Sequence, residues 1–170
     1  METFLQENTE KKGINKIFIV ATLIGIVLIA GVVALLSLIP SKDEQKAQFL
    51  EGSFREGSPQ FAETTKDIII ATDFDKTIQS PNAFGGISMF INGKIYNKGK
   101  KNINSLEVNV GVVNQKNEVI KEKRVLVVPI QQSSLEAGQT IPVTLSLDGF
   151  KKDDDRANIR WKVTAIRVQE

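Results

Sequence analysis

The sequence predicts an all-β domain, a two-sheet antiparallel sandwich, that follows a single transmembrane helix. Two observations predict this architecture. Residues 17–39 form an unbroken apolar run without a charged side chain, and from residue 67 onward apolar residues recur at every second position. An uncharged run of this length is typical of a membrane-spanning helix, whereas a period of two is typical of strands with one buried face.

The apolar run IFIVATLIGIVLIAGVVALLSLI is long enough to cross a bilayer. As a helix it measures about 34 Å, against a hydrocarbon core of about 30 Å. The run is too long for the apolar region of a cleaved signal peptide, and no cleavage region follows it. Val32 stands where a lipoprotein signal requires cysteine. We therefore expect the helix to remain in the mature chain.

Lysines on the two sides of the helix predict its orientation. Three precede it and two follow it: Lys11, Lys12 and Lys16, then Lys42 and Lys46. Because positive charge favours the cytoplasmic side, the tail (residues 1–16) is predicted to be cytoplasmic and the C-terminal domain periplasmic or extracellular. The absence of cysteine suits an oxidising compartment. The predicted localisation is the cell (inner) membrane, crossed once.

Small residues in the helix indicate where a second helix could pack. Ala21 and Gly25 are four residues apart on one face, and so are Ala30 and Ala34. This spacing lets two helix backbones approach closely. Gly and Ala are also common in membrane helices that make no specific contact, so both interpretations stay open.

Residues 40–66 are predicted to be a linker. Pro40 ends the helix because proline has no amide hydrogen and disfavours helical backbone at the preceding residue. The rest of the segment is polar, with a possible short helix near Asp43–Leu50. Three phenylalanines are unusual in a linker and suggest that part of it docks on the domain or on a partner: Phe49, Phe54 and Phe61.

The domain predicted for residues 67–170 has six or seven strands. Their number and spacing, with no helical periodicity between them, are typical of an immunoglobulin-like sandwich. Trp161 is in phase with its apolar neighbours and is predicted to lie in the core. The predicted strands are residues 67–74, 86–97, 105–113, 118–129, 140–147 and 158–168.

Part of this domain resembles a known family. Residues 90–99 read FINGKIYNKG and residues 135–140 read LEAGQT, with a strand, a polar turn and a second strand between them. The pattern is similar to that of FxLYD-like domains, small β-sandwich modules of bacterial membrane-anchored and secreted proteins. Two positions depart from it, because Val113-Asn114 replaces Tyr-Asp and Ala137 replaces proline. The resemblance implies a fold and an accessory or binding module rather than an enzyme.

The residues that carry this resemblance define turns. Gly93 is predicted to allow close packing within a strand, Asn97 to hydrogen-bond its own turn and Gly99 to supply a positive φ angle. Asn114 can form the turn that aspartate forms in the family, and Gly138 belongs to the LEAGQT turn. These residues predict local structure and carry no reactive group.

Composition argues against catalysis. The 170 residues include no histidine and no cysteine, which removes imidazole bases, thiolates and the usual zinc and haem ligands. Asp73 and Asp75 are interpreted as solvated edge residues, and Asp153, Asp154 and Asp155 as a charged hairpin tip without the spacing of a calcium loop. We expect no enzymatic activity, no cofactor and no catalytic or metal site.

The net charge of +2 is spread along the chain, so no nucleic-acid partner is predicted. The densest basic cluster is interpreted as a solvated loop, with an anionic lipid or another acidic surface as the alternative contact: Lys94, Lys98, Lys100 and Lys101.

Two functions remain open at this stage. In the first, the chain is a non-catalytic accessory or scaffold subunit whose partners are the bilayer and a larger integral membrane protein complex. In the second, it is a membrane-anchored binding module for a cell-wall, carbohydrate or lipid ligand. The second function requires exposed aromatic side chains, for which the candidates are Phe84, Phe90, Tyr96, Phe150 and Trp161.

Overall fold

A computed structural model describes residues 16–37, 41–83 and 85–169. The chain divides into two compact units, Met1–Lys42 and Asp43–Glu170. Most of the predicted cytoplasmic tail and the last two residues of the predicted membrane span lie outside the described residues.

The first unit contains helix α1, Lys16–Ser37. Its segment Ile19–Ser37 has a mean hydropathy of 3.0, and no residue of that segment is buried against the described part of the chain. Because a helix satisfies its own backbone hydrogen bonds, such a segment can lie in lipid without a partner. By length and composition, α1 is a helix that could cross a membrane.

The second unit contains two antiparallel sheets. In the β5 sheet the strand order is β1-β8-β5-β6. In the β4 sheet, β2 and β3 pair one after the other with one edge of β4, and β7 pairs with the opposite edge. The strands are β1 Phe54–Arg55, β2 Ile68–Thr72, β3 Ile78–Pro81, β4 Ile87–Asn97, β5 Ile103–Val113, β6 Val119–Val128, β7 Thr140–Phe150 and β8 Asn158–Val168.

One hydrophobic core joins the two sheets. It combines residues such as Ile91 and Ile95 of the β4 sheet with Val108 and Val110 of the β5 sheet, all of them fully buried. Burying one such side chain stabilises the fold by roughly 1.5–3 kcal/mol. This arrangement confirms the all-β prediction and is compatible with a sandwich.

Two of the eight strands were not predicted. β1 has two residues, and β3 has the sequence IQSP, so neither is long enough to show a period of two. The strand predicted over residues 67–74 ends earlier, at Thr72, and a 3₁₀ turn over Phe74–Lys76 follows it. The Thr77 hydroxyl closes this turn by donating to the carbonyl of Asp73 at 2.8 Å.

The structure of the predicted linker differs from the expectation. Residues 42–66 contain α2 (Lys42–Phe49), β1 and α3 (Pro59–Thr65). The helix predicted near Asp43–Leu50 corresponds to α2. α3 begins at Pro59, and the hydroxyl of Ser58 caps it by accepting from the amide of Phe61 at 3.2 Å. Phe54 and Phe61 pack against the core, so few apolar residues suffice to dock a polar segment.

α2 and the residue after it cover one end of the β5 sheet's outer face. Leu50 is buried there with Leu126 and Ala165. Lys46 Nζ lies 2.5 Å from the Glu107 carboxylate, which is only 6% exposed. Glu107 alternates with apolar residues of β5, so on a bare strand it would face water, but the docked segment buries it.

Side chains protect the free edge of β7. Gln131 Nε2 donates to the Thr144 carbonyl at 2.8 Å, and Gln131 Oε1 accepts from the Thr144 amide at 3.0 Å. Lys123 Nζ donates to the Ser146 carbonyl at 3.0 Å. Pro142, two residues before Thr144 on the same edge, has no amide hydrogen to offer. The backbone groups of this edge are therefore largely occupied.

Candidate functional site

α1 carries its small residues with open space around them. A Cβ built on Gly25 would meet no atom within 4 Å outside the helix backbone, and Ala21, Ala30 and Ala34 are exposed. Since a helix turns by about 100° per residue, each pair spans only about 40°, but the two pairs lie about 180° apart. The four residues therefore form two separate small-residue patches on opposite sides of α1.

Asn97 joins two turns at the end of β4. It is 2% exposed, and its Nδ2 donates to the carbonyls of Lys101, Leu135 and Glu136 at 2.9, 3.3 and 3.1 Å. Its Oδ1 accepts from the amide of Gly99 at 3.0 Å, which is the hydrogen bond within its own turn that the sequence predicts. The side chain thus fixes the β4–β5 turn against the segment before β7.

The glycines near Asn97 have different roles from those predicted. Gly99 does not have a positive φ angle, so that prediction is wrong. Its Cβ would lie 3.1 Å from Asn97 Oδ1 and 3.4 Å from Asp67 Cβ, and close approach is therefore what favours glycine. Gly138 has the positive φ, +74°, and its amide donates to the Asn97 carbonyl at 2.8 Å.

Asn114 begins the turn between β5 and β6. Its Oδ1 accepts from the Glu118 amide at 2.9 Å, and its Nδ2 donates to the Glu118 carboxylate at 2.7 Å. Asn117, inside the turn, has a φ of 67°, a conformation that asparagine tolerates. The side chain of Asn114 therefore closes this turn.

Trp161 and Gly93 connect the two sheets. Trp161, on β8, is half-buried, packs against the core and donates from Nε1 to the hydroxyl of Thr72 on β2 at 2.8 Å. A Cβ on Gly93 would lie 2.9 Å from both Trp161 Cζ2 and the Ala71 carbonyl oxygen. Only a residue without a side chain fits between the indole and the β2 backbone. This is the close packing that the sequence predicts for Gly93.

The outer face of the β4 sheet is largely uncharged. Cross-strand neighbours share a face, so Ile69 lies beside Tyr96, and Ile78 beside Phe90. Ile69, Ile78 and Phe90 are 49%, 57% and 40% exposed. We call the surface formed by these four residues with Asn92, Lys94 and Thr144 the outer β4 face.

Charge on this face is confined to Lys94. Its Nζ lies 3.7 Å from the Asp73 carboxylate, so the charge has a counterion. Phe74, in the turn between β2 and β3, adds a side chain that is 65% exposed. Exposed apolar groups in one contiguous area are characteristic of contact surfaces.

The outer face of the β5 sheet has the opposite character. Gly111 lies between Glu122 and Arg160, and Asn109 between Arg124 and Lys162, all four of them exposed charged residues. Lys162 also pairs with Glu56 at 2.8 Å. The two faces therefore differ in chemistry, and the outer β4 face is the one suited to apolar contact.

The aromatic candidates for ligand binding separate into three groups. Phe150 is 1% exposed and belongs to the core, and Trp161 is committed to Thr72. Phe84 lies outside the described residues. Phe90 and Tyr96 remain, and both lie on the outer β4 face.

Three of the five aspartates considered for catalysis or calcium binding stabilise turns or form an ion pair. Asp154 Oδ2 accepts from the Lys151 amide at 2.7 Å, and Asp155 Oδ2 accepts from the Gln115 amide at 3.0 Å. Asp73 faces Lys94. Over the ranges that the structure describes, no three acidic side chains are grouped so that they could hold a metal ion.

The buried Glu107 carboxylate has a lowered pKa although burial alone would raise it. Burial raises its pKa, but the hydrogen bonds from Lys46 and Thr164 and the positive charges of Lys46 and Arg124 outweigh burial and lower the pKa below 4.5. The Thr164 hydroxyl donates to it at 2.6 Å. An ionised carboxylate fully occupied by such partners holds α2 in place rather than exchanging protons with a substrate.

No protein-family model, curated protein or solved structure matches this chain. The resemblance to FxLYD-like domains accordingly depends on a few residues, whose contacts fix turns and sheet packing: Gly93, Asn97, Gly99, Leu135 and Gly138. None of them offers a group that reacts with a substrate.

Sequence reasoning missed two elements of these surfaces. Ile78 is the only apolar residue between Phe74 and Pro81, too isolated to indicate a strand, although its exposure defines part of the outer β4 face. One weak signal in the sequence could have indicated the contact of Lys46 with Glu107. Lys46 lies four residues before the apolar Leu50, so in a helix both side chains would point to the side that docks on the sheet.

Proposed function

We propose that this chain is a single-pass membrane protein without catalytic activity, an accessory subunit that binds and stabilises a larger membrane protein complex. The observation that carries the proposal is the segment Ile19–Ser37 of α1, which contains no charged residue and in which no residue is buried. Exposing apolar surface to water costs about 25 cal/mol per Å², so lipid or partner helices must cover this helix.

The orientation follows from the lysine distribution around the helix, with the N-terminus in the cytoplasm and the β domain on the periplasmic or extracellular side. In this proposal the helix is anchored in the inner membrane, and the domain is an immunoglobulin-like sandwich of the FxLYD-like type. The turn contacts of Asn97 and the close packing at Gly93 support that relationship.

Two surfaces support an accessory role. The small-residue patches of α1 allow partner helices to approach on two sides, and the outer β4 face offers apolar contact outside the bilayer. The composition lacks histidine, the most frequent general acid–base residue, and cysteine, which supplies thiolate nucleophiles. A complex subunit with one contact surface in lipid and one in water fits these features.

Co-purification tests the proposal. We expect the full-length chain, tagged and extracted in mild detergent, to bring down stoichiometric integral membrane proteins. Gly25→Ile fills one patch of α1 and should reduce their recovery severalfold. Gly31→Ile is the matched control, because Gly31 has the same open surroundings but lies about 120° away around the helix. Equal recovery with both variants would exclude the Gly25 patch as a contact.

A second pair of variants tests the β domain. Ile78→Ser removes an apolar side chain, 57% exposed, from the outer β4 face, whereas Val119→Ser removes one that is 55% exposed from the outer face of the β5 sheet. We expect the first variant alone to weaken co-purification. A chain that stays monomeric in several detergents and in native membranes contradicts the accessory role altogether.

One observation favours the alternative function, a membrane-anchored binding module for a cell-wall, carbohydrate or lipid ligand. On the outer face of β4, Phe90 and Tyr96 lie at the two ends of a row that also contains Asn92 and Lys94. The Asn92 Oδ1 accepts from the Thr144 hydroxyl at 2.9 Å, so aromatic and hydrogen-bonding groups share the outer β4 face. Sedimentation of the detergent-solubilised chain with purified wall fragments tests this alternative. Binding that Phe90→Ala abolishes, without any co-purifying protein, supports it over the accessory role.

A further inference from the structure

A groove of about 740 Å³ lies at the end of the β domain where β4 turns into β5. α3, the segment around β1 and the end of β8 form its other sides. This volume lies within the range of small-ligand sites. Its apolar part consists of the buried Ile103 and of three half-buried side chains: Phe54, Ile68 and Val168.

The polar part of the groove is predominantly basic. Two acidic residues, Glu63 and Asp67, contribute to it. Five basic residues outnumber them: Lys66, Lys98, Lys100, Lys101 and Arg167. The groove therefore has an excess of positive charge next to an apolar surface.

The lysines of the β4–β5 turn are available for a ligand. Lys98, Lys100 and Lys101 are exposed, and none of them belongs to an ion pair among the residues described. Arg167 differs, because its guanidinium donates to Asn104 Oδ1 and to the Glu51 carbonyl and so holds the chain around it. The excess charge thus resides on side chains that are free to move toward an anion.

The backbone that presents these lysines is fixed. The Lys101 carbonyl accepts from Asn97 Nδ2 at 2.9 Å, and the Lys98 amide donates to the Asp67 carbonyl at 2.8 Å. A ligand would therefore order only lysine side chains and no loop, which lowers the entropic cost of binding.

We propose that this groove binds the phosphate-bearing headgroup of an anionic phospholipid. Lysine ammonium groups are effective partners for phosphate, and the apolar side chains suit the glycerol and the first methylenes, which inorganic phosphate lacks. The proposal rests on membrane anchoring as proposed above. In an anchored chain only residues 38–42 link α1 to the second unit, a tether of roughly 20 Å at full extension, so the β domain cannot leave the vicinity of the bilayer.

Lysine labelling in nanodiscs tests this inference on the full-length chain. One set of discs contains phosphatidylcholine alone, and the other contains about one third phosphatidylglycerol. We expect acetylation of Lys98, Lys100 and Lys101, measured by mass spectrometry, to be at least threefold slower in the anionic discs, and 0.5 M salt to remove the difference because the attraction is ionic. Equal labelling rates in both discs would overturn the inference.

Lysines at the other end of the domain provide the internal control. Lys116, Lys151 and Lys152 are exposed and follow the opposite ends of 11-residue strands, roughly 30 Å away. We expect their labelling to be the same in both discs. Uniform slowing of both sets would mean general attraction to the bilayer and would also overturn a specific groove.

Charge-matched variants test whether the groove lysines themselves bind the anionic lipid. The measurement is native mass spectrometry in micelles that contain equal amounts of the two lipids. Changing Lys98, Lys100 and Lys101 to Gln should lower the ratio of bound phosphatidylglycerol to bound phosphatidylcholine about fivefold. The same change at Lys116, Lys151 and Lys152 should leave the ratio unchanged. A comparable loss in both variants contradicts the inference.

Two further outcomes distinguish a wrong ligand from a wrong assignment of membrane anchoring. Glycerol phosphate that slows labelling to the same extent in phosphatidylcholine discs would assign the groove to a soluble anion and overturn the lipid. A chain that cannot be incorporated into either disc would refute membrane anchoring itself, whereas a chain that is incorporated but not protected refutes only the headgroup site.

Discussion

Asn97 shows how one buried polar side chain can hold several chain segments together. Its amide and its backbone connect Gly99, Lys101 and residues 135–139, segments far apart in the sequence. A buried polar group without hydrogen-bond partners is unfavourable. Removing such a side chain therefore also costs free energy at each group that was hydrogen-bonded to it.

We expect Asn97→Ala to destabilise the β domain by about 2–4 kcal/mol, since the Gly99 amide and the Lys101 carbonyl would lose their hydrogen bonds to its side chain. The carbonyls of Leu135 and Glu136 would each lose one of two hydrogen bonds. Urea unfolding of the detergent-solubilised chain, followed by the fluorescence of the single tryptophan, measures this. Asn109→Ala is the control, because Asn109 makes one side-chain hydrogen bond, to the exposed Glu122. Similar losses in both variants would contradict the role of Asn97.

The space at Gly93 gives a second prediction for a single residue. Gly93→Ala places a Cβ 2.9 Å from both Trp161 and the Ala71 carbonyl, so we expect a loss of about 1–3 kcal/mol and a red shift of the Trp161 emission as the indole moves toward water. In Gly111→Ala the nearest atom outside the neighbouring residues is 3.9 Å away, and stability should be equal or slightly higher. An unshifted spectrum in Gly93→Ala would refute the contact.

Among the structural elements, α2 is the one whose attachment depends on charge. Leu50 supplies the apolar contact and Lys46 the ionic contact with Glu107. Since the folded state lowers the pKa of Glu107, it favours the ionised form. The resulting stabilisation is complete above the pKa of the unfolded chain, about 4.5, and is lost as the pH falls through the lower pKa of the folded state.

We expect Glu107→Gln to lower stability by about 1–3 kcal/mol at pH 7, because a hydrogen-bonded ion pair is lost. The difference between this variant and the unmodified chain should shrink as the pH falls below 4.5. Urea unfolding between pH 3 and pH 7 measures both effects. Glu136→Gln, at an exposed residue outside the ion pairs described, should show no such pH dependence, and a constant difference for Glu107→Gln would exclude the linkage.

How well an element could be predicted depended on its length and on the source of its contacts. Long strands such as β7 alternate over most of eleven residues and bury one face, so their hydrophobic pattern is visible in the sequence. β1 and β3 form because longer strands offer them an edge, and α2 docks through Leu50 and Lys46. These contacts join distant residues, and no local pattern encodes them.

The candidate surfaces were predictable to a similar degree. The apolar character of α1 and the turn role of Asn97 follow from residue type and spacing. The exposure of Ile78 and Phe90 does not, because it depends on which strands become neighbours. Phe150 illustrates the same limit, since it resembles an exposed loop aromatic in the sequence but lies in the core.

For the molecule as a whole, the proposed function separates a helix in lipid from a domain in water. The absence of cysteine allows this topology to be tested with single substitutions. With the N-terminus in the cytoplasm, a membrane-impermeant maleimide should label Lys116→Cys in intact spheroplasts but should label Thr3→Cys only after the membrane is permeabilised. The reverse pattern would invert the orientation.

Retention of the chain in the membrane fraction tests whether α1 spans the bilayer. We expect the full-length chain to stay in the membrane pellet after alkaline carbonate extraction, because an apolar span as long as Ile19–Ser37 is not released by loss of ionic contacts. The labelling variant Lys116→Cys should be retained equally. Release into the supernatant would contradict a spanning helix.

The occupied edge of β7 has a consequence for a protein confined to a surface. Molecules that share a bilayer collide repeatedly in two dimensions, and a bare strand would let one copy extend the sheet of the next into a growing ribbon. Gln131, Lys123 and Pro142 leave little backbone for such stacking. Neighbouring copies are therefore not expected to pair through this edge, and a partner that meets β7 should engage its side chains rather than add a strand there.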